Sequence, residues 1–314
     1  MAGPKSYIYI DTNVISNFKL FSDDEWRAYR NANNKYLFPA SASHFLDLLK
    51  SPEEYLQEDL LLLEKISGRN YIDLDESGSI VTTKLPFALS EAYEHIVSDY
   101  KSKTKPDERF VFIPGYDKFT VDTEMMHSNS FLYDMVVQNH GVIDGNFGNY
   151  VMQYMLANID SPTVYKAMRK QIQDIIAHAK KYGTYNSMSD HSKQTLEIFS
   201  FEGTDDELFM RLKEYMILSY RIQGKNWLER SIPHQIVDIY SLLDLVSGYG
   251  EKIDKKNPWV NMLHDAEHCA NASQAKYYIT NERKNNAKID FIKTQFGLKF
   301  KVITPEQFIS TFRL

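Results

Sequence analysis

Lys276-Tyr277-Tyr278-Ile279-Thr280-Asn281-Glu282 is followed by a helix-length segment from Arg283 to Phe296, then Gly297, then Lys299-Phe300-Lys301-Val302-Ile303-Thr304-Pro305-Glu306. Two short runs rich in aromatic and β-branched residues, separated by a segment that a glycine closes, predict strand–helix–strand. Pro305 in a first-turn position opens one more helix. Upstream, 236–246 and 261–275 also read as helices, the second carrying Asp265, His268, Ala272 and Ala275. Helix–strand–helix–strand–helix is the rhythm of a parallel sheet with helices on its faces, an α/β fold.

The first 80 residues use the same grammar. Tyr7-Ile8-Tyr9-Ile10 predicts a short buried strand that runs straight into Asp11-Thr12-Asn13. Residues 24–32 predict a helix, and Tyr36-Leu37-Phe38-Pro39 an extended piece. Ser41 or Ser43 is placed to cap a helix carrying Phe45, Leu46, Leu48 and Leu49, whose apolar face Asp47 interrupts. Pro52-Glu53-Glu54 opens another helix that Gly68 ends, and Tyr71-Ile72-Asp73-Leu74 predicts a strand. Between 81 and 234 the pattern turns mainly helical, with apolar stripes through Val164, Met168, Ile172, Ile175, Ile176 and Ala179, and through Leu208, Leu212, Tyr215, Met216 and Ser219. Residues 101–123 and 183–206 read as loops. The expected organisation is a core from 1–80 and 235–314, interrupted by a helical insertion at 81–234.

Composition excludes several classes. A chain of 314 residues with 43% hydrophobic and 25% charged residues can bury a core, so global disorder is excluded. The single Cys269 excludes a disulfide framework and a cysteine zinc site. No apolar run approaches the ~20 residues that span a bilayer, and the N-terminus has no signal-peptide pattern. The expectation is a cytoplasmic protein with no membrane partner. A net charge of −6 carries no global nucleic-acid signal. Yet Lys276, Arg283, Lys284, Lys288, Lys293, Lys299 and Lys301 face only Glu282 and Asp290 in their stretch. That run is either a solvated helix face or a phosphate grip. Gly248-Tyr249-Gly250 lacks the third glycine and the lysine of a phosphate-binding loop.

Asp11, Asp47, Asp265 and Glu282 are the carboxylates whose settings ask for a reason. Asp11 and Glu282 end apolar strands, Asp47 breaks an apolar helix face, and Asp265 opens a helix of small residues. If they converge they repel one another, and a hard divalent cation such as Mg²⁺ or Mn²⁺ resolves that repulsion. Other readings compete for neighbouring residues. His264 and His268 share a helix face at a zinc-binding spacing, but Asp265 stands where a metalloprotease needs glutamate. His264-Asp265 is also the doublet of His-Asp metal phosphohydrolases, with His234 or His191 as further ligands, which leaves Asp11 and Glu282 unexplained. Asp238 and Asp244 read as solvated or structural, Cys269 as a buried hydrophobe, and the 21 Tyr and 18 Phe as core.

Taken together these residues resemble the PIN domain family of metal-dependent nucleases. Asp11-Thr12-Asn13 is similar to its first motif, and Ser43-x-x-x-Asp47-Leu48 to its second. Asp265, leading after seventeen residues to Thr280-Asn281-Glu282, is similar to its third and fourth. The resemblance covers about 5–80 and 235–314, and extends to the closing strand and helix at 300–308. It departs where Asp47 stands for the usual Glu and Glu282 for the usual Asp, each shifting a charge by one methylene. The resemblance implies a three-layer α/β/α domain and hydrolysis of phosphodiesters, chiefly in RNA, with single-stranded DNA as the other substrate. It implies Mg²⁺ or Mn²⁺ held by Asp11, Asp47, Asp265 and Glu282. Asn13, Thr280, Asn281 and His268 would support the site, and Arg283, Lys284 and Lys288 would meet substrate phosphates. It allows an antitoxin-like protein partner and a homodimer. The rival expectation is a PIN-like scaffold that binds nucleic acid or protein without cleaving.

Overall fold

Ile8, Tyr9 and Ile10 are buried and form β1 (Ile8–Ile10), the strand to which the rest of the sheet is attached. The computed structural model describes residues 6–103, 119–120, 137–143, 201–222, 224–250, 259–281 and 286–313, with isolated positions between 158 and 198. In chain order β1 is followed by α1 (Thr12–Ile15), α2 (Asp23–Asn33), α3 (Ala42–Leu48), α4 (Glu53–Ser67), β2 (Asn70–Leu74), β3 (Ile80–Lys84) and α5 (Leu89–Lys103). Then come β4 (Phe119–Thr120), β5 (Val142–Ile143), α6 (Asp205–Ile222), α7 (Ile232–Leu243) and α8 (Trp259–Ala272). The chain closes with β6 (Tyr277–Ile279), α9 (Asn286–Gln295), β7 (Lys301–Ile303) and α10 (Pro305–Phe312).

The sheet is parallel, in the order β1-β6-β7, with Ile8 opposite Tyr277 and Tyr278 opposite Val302. On the other side of β1 an extended piece joins by single parallel bridges, Tyr7 to Leu37 and Ala40 to Tyr71. Hydrogen bonds from the Ile8 amide to Leu37 and from the Ile72 amide to Ala40, both 2.8 Å, secure it. The lateral sequence is therefore β2, the 37–40 piece, β1, β6 and β7, all parallel. β3 hangs antiparallel on β2, with Ile72 opposite Thr82. The mainly helical reading from residue 81 is thus corrected at its start. Val81, Thr82, Thr83 and Lys84 belong to a hairpin, because β-branched residues follow the turn at Gly78.

Period-two alternation decides what each face meets. Ile8, Ile10 and Ile279 pack into one core with Val14, Tyr29, Leu63, Phe308 and Phe312 from α1, α2, α4 and α10, with Phe18 from the 3-10 turn after α1, and with Phe38 from the 37–40 piece. Burying one such side chain contributes about 1.5–3 kcal/mol. Tyr9 and Tyr278 point the other way, Tyr9 toward His268 of α8. Helices on both faces are compatible with an α/β/α layering. The helix ends follow the sequence. Ser22 with Glu25 and Thr304 with Gln307 form reciprocal caps, and Gly68 closes α4 in the left-handed region.

The chain divides into two compact units, one of residues 1–102, 230–240 and 263–314, the other of 103–229 and 241–262. The sequence rhythm changes at other positions, near 81 and 234. In the second unit α6 buries Leu208, Leu212, Tyr215 and Met216 along one stripe, and Thr204 caps it reciprocally with Glu207. The stripe from Val164 to Ala179 and most of the two expected loops lie outside the described residues. Among the described residues no helix is long and apolar enough to cross a membrane.

In the turn between β2 and β3, Gly78 has φ +75°, and a Cβ there would run into the Ser231 side chain. Gly78→Ala should therefore cost about 2–4 kcal/mol, from left-handed strain plus the clash. A thermal melt that leaves the transition unmoved would refute this.

Candidate functional site

Asp11 sits where β1 ends and α1 begins, at the carboxyl edge of the parallel strands where open α/β sheets gather their chemistry. It is 4% exposed and well supplied with donors. Its Oδ1 accepts from the Asn13 amide at 3.2 Å, which caps α1. Its Oδ2 accepts from the Tyr278 hydroxyl at 2.9 Å and the Thr280 hydroxyl at 3.0 Å. Asn13 turns its own Oδ1 to the Asn281 amide at 3.4 Å, tying the ends of β1 and β6 together. Asp11, Asn13, Thr280 and Asn281 are thus brought to one point.

Asp47 comes from α3 and is engaged on both oxygens. Oδ1 accepts from Lys50 at 2.9 Å and lies 2.8 Å from His264 Nδ1, while Oδ2 lies 2.9 Å from His268 Nε2. The same His268 nitrogen is 3.2 Å from the Thr12 hydroxyl, one residue beyond Asp11. Burial works against the Asp47 carboxylate, but the two imidazoles and Lys50 hold its pKa far below the usual range.

Asp265 is half-buried in the second turn of α8. The expectation that it opens the helix is corrected, because α8 starts earlier, at Trp259. It acts on His268, whose surroundings show how the acids group. Burial alone would push that imidazolium's pKa down. The hydrogen bond to Asp47 and the negative charges of Asp11, Asp47 and Asp265 outweigh it and lift the value to about 9. Three of the four acids therefore act on one imidazole.

Glu282, Arg283 and Lys284 lie outside the described residues. Lys288 does not project outward. It is 1% exposed, with Nζ 5.0 Å from the centre of the Tyr240 ring. On α9 it shares the apolar stripe of Phe291 and Ile292, one turn away, which draws it inward. Exposed Lys276, Lys299 and Lys301 stand at the amino ends of β6 and β7, the edge opposite Asp11. The basic stretch is therefore not one grip beside the acids.

A buried polar cluster joins the site that the sequence reading passed over. His44 is 1% exposed and spans from the Ile10 carbonyl (Nε2, 2.7 Å) to the Ser41 amide (Nδ1, 3.0 Å) and hydroxyl (2.9 Å). Its pKa is pushed down to about 3 by burial and by neighbouring His268. The Tyr9 hydroxyl lies 2.7 Å from both Ser41 Oγ and His268 Nδ1, and accepts from Asn271 at 3.3 Å. Ser43 donates to Glu267 at 3.2 Å, and burial raises the Glu267 carboxyl. The available signal was Ser41-x-x-His44, a capping-box spacing with histidine in the acceptor place.

No family model, no curated protein and no solved structure matches this chain. The donor chemistry at the site fits a hard or borderline divalent cation. Asp11, Asp47 and Asp265 all act on His268, and the protein balances them with that imidazolium and with Lys50 beside Asp47. Among the described residues no three His, Cys, Asp or Glu side chains already form a metal cage, and the fourth acid, Glu282, is not among them.

Proposed function

We propose that the chain is a PIN-like, metal-dependent endonuclease that hydrolyses phosphodiester bonds, with RNA as the substrate. The supporting observation is the meeting of Asp11 with Thr280 at the carboxyl ends of two adjacent parallel strands, with Asp47 and Asp265 acting on the same His268. The parallel strand order, with the 37–40 piece and β2 on one side of β1 and β6 and β7 on the other, is compatible with that reading.

In this reading Asp11, Asp47, Asp265 and Glu282 hold Mg²⁺ or Mn²⁺. A divalent ion so bound supplies Lewis acidity and a water acidified to near neutrality. The chain's own residues do the positioning. Tyr278 and Thr280 fix one Asp11 oxygen, and among the described residues the other accepts from the Asn13 amide. Asn13 and Asn281 tie the end of β1, which carries Asp11, to the end of β6. Arg283 and Lys284, next after Glu282 in the sequence, are the cations assigned to the substrate phosphates. Lys288 has no part in this, being turned inward over Tyr240.

The test is cleavage of labelled RNA and single-stranded DNA by wild type, Asp11→Asn and Glu282→Gln, with Mn²⁺ or Mg²⁺ at matched concentrations. Wild type should cleave RNA, faster with Mn²⁺, because an exchanged pair of side-chain lengths leaves an irregular shell that the looser ion tolerates. Both variants should be silent. Equal rates in all three would make the carboxylates structural and give preference to a scaffold that binds nucleic acid or a protein partner.

A further inference from the structure

The orientation of His268 follows from its neighbours by counting hydrogens. Ile10 presents only a carbonyl, so His44 Nε2, 2.7 Å away, carries a hydrogen. His44 Nδ1 faces the Ser41 amide, a donor, at 3.0 Å, so Nδ1 is an acceptor and the ring is neutral. The Ser41 hydroxyl, 2.9 Å from the same nitrogen, spends its hydrogen there. Its oxygen then accepts from the Tyr9 hydroxyl at 2.7 Å. The Tyr9 oxygen, its own hydrogen used, accepts from His268 Nδ1 at 2.7 Å. A one-way relay, His268 to Tyr9 to Ser41 to His44 to Ile10, thus places a fixed hydrogen on His268 Nδ1.

The other nitrogen of that ring, Nε2, faces the acids. It lies 2.9 Å from Asp47 Oδ2 and 3.2 Å from Thr12 Oγ1, both on half-buried residues. We propose that His268 Nε2 is itself a ligand of the divalent ion, one nitrogen among carboxylates, so that the site takes a first-row transition ion in preference to Mg²⁺. This rests on the metal-dependent reading above and names the kind of ion. A metal-bound histidine almost always donates its other N–H to a fixed acceptor, and Tyr9 is that acceptor here. Loss of the hydrogen that Nε2 shares with Asp47 Oδ2 would leave both atoms, 2.9 Å apart, available as neighbouring ligands. His264 spends its Nδ1 hydrogen on Asp47 Oδ1, which also accepts from Lys50, so it steadies the carboxylate and is assigned no place as a ligand. Imidazole nitrogen suits first-row transition ions and is foreign to the all-oxygen shell of Mg²⁺.

Pulsed electron paramagnetic resonance on the full chain with one equivalent of Mn²⁺ reads this directly. Wild type should show the ¹⁴N modulation of a directly bound imidazole. His264→Gln should keep it, and His268→Gln should lose it with at least a tenfold weaker Mn²⁺ affinity (~10–100-fold is the cost of disturbing a ligand's support alone). Tyr9→Phe keeps the imidazole but removes its acceptor, so modulation persists while Mn²⁺ affinity falls about tenfold. Bound Mn²⁺ without nitrogen modulation, or modulation surviving His268→Gln, overturns the proposal and leaves metal-dependent cleavage standing. Should His268→Gln not fold, unchanged Mn²⁺ affinity in Tyr9→Phe overturns it instead. Failure of wild type to bind Mn²⁺ overturns both this proposal and the metal-dependent reading.

Discussion

His44→Leu should lower the stability of the protein by about 3–5 kcal/mol at pH 7, seen as a large fall in the urea midpoint. Leucine fits a buried position but leaves the Ser41 amide, the Ser41 hydroxyl and the Ile10 carbonyl facing apolar surface. Each buried polar group left without its partner costs about 1–3 kcal/mol. The pH dependence gives a second signature. With a folded-state pKa pushed down to about 3, His44 refuses a proton that the unfolded chain accepts near 6.5. Its contribution is therefore present above about 6.5 and is lost as pH falls toward 3. His44→Leu should lack that acid limb. A loss under about 1 kcal/mol would mean that these three groups find other partners, and the relay would lose its anchor.

Asp47→Asn should destabilise the metal-free protein by a similar amount, about 3–5 kcal/mol near pH 6, because it strips a buried imidazolium of its counter-charge. Here the sign is opposite. His268 has a folded-state pKa raised to about 9, so its stabilisation is complete below about 6.5 and is lost as pH rises through 9. The gap between wild type and Asp47→Asn should shrink over that window. Urea titrations at pH 6 and pH 9.5 check it, and a gap that stays constant would show that His268 carries no charge in the folded chain. Two imidazoles with centroids 5.2 Å apart thus respond to opposite ends of the pH scale. One is held by acceptors and donors of fixed polarity, the other by carboxylates.

What the sequence disclosed of this arrangement depended on whether the signal was local. Strand ends were legible, because an apolar run that stops at Asp11 or Thr280 marks both the strand and its carboxyl edge. The meeting of these two residues then follows from parallel pairing. Asp47 was legible as an anomaly on an apolar face, but not its partners. The spacing of His264 and His268 says that they share a face of α8, without saying that α3 lies across from it. The basic run from Lys276 to Lys301 misled for a related reason. Residues close in sequence lie at opposite edges of a sheet when one precedes a strand and another follows it, and Lys288 went inward with the stripe of its helix. His44 escaped because histidine is not the usual reciprocal capping acceptor, and only its distance to Ile10 reveals a second duty.

β1 pairs with β6 across 269 positions, from Ile8 to Tyr277. Closing so long a loop costs about 5 kcal/mol of chain entropy by the logarithmic estimate, and distant pairings of this kind slow folding. During synthesis at ~5–20 residues per second, β1 emerges roughly a quarter of a minute to a minute before the strand that covers its second edge. For that interval the nascent chain has only the 37–40 piece on one side, with the other row of amides and carbonyls open to any passing strand. A ribosome-bound chain halted before residue 277 should therefore aggregate or recruit chaperones, and release from both should coincide with the emergence of Tyr277-Tyr278-Ile279.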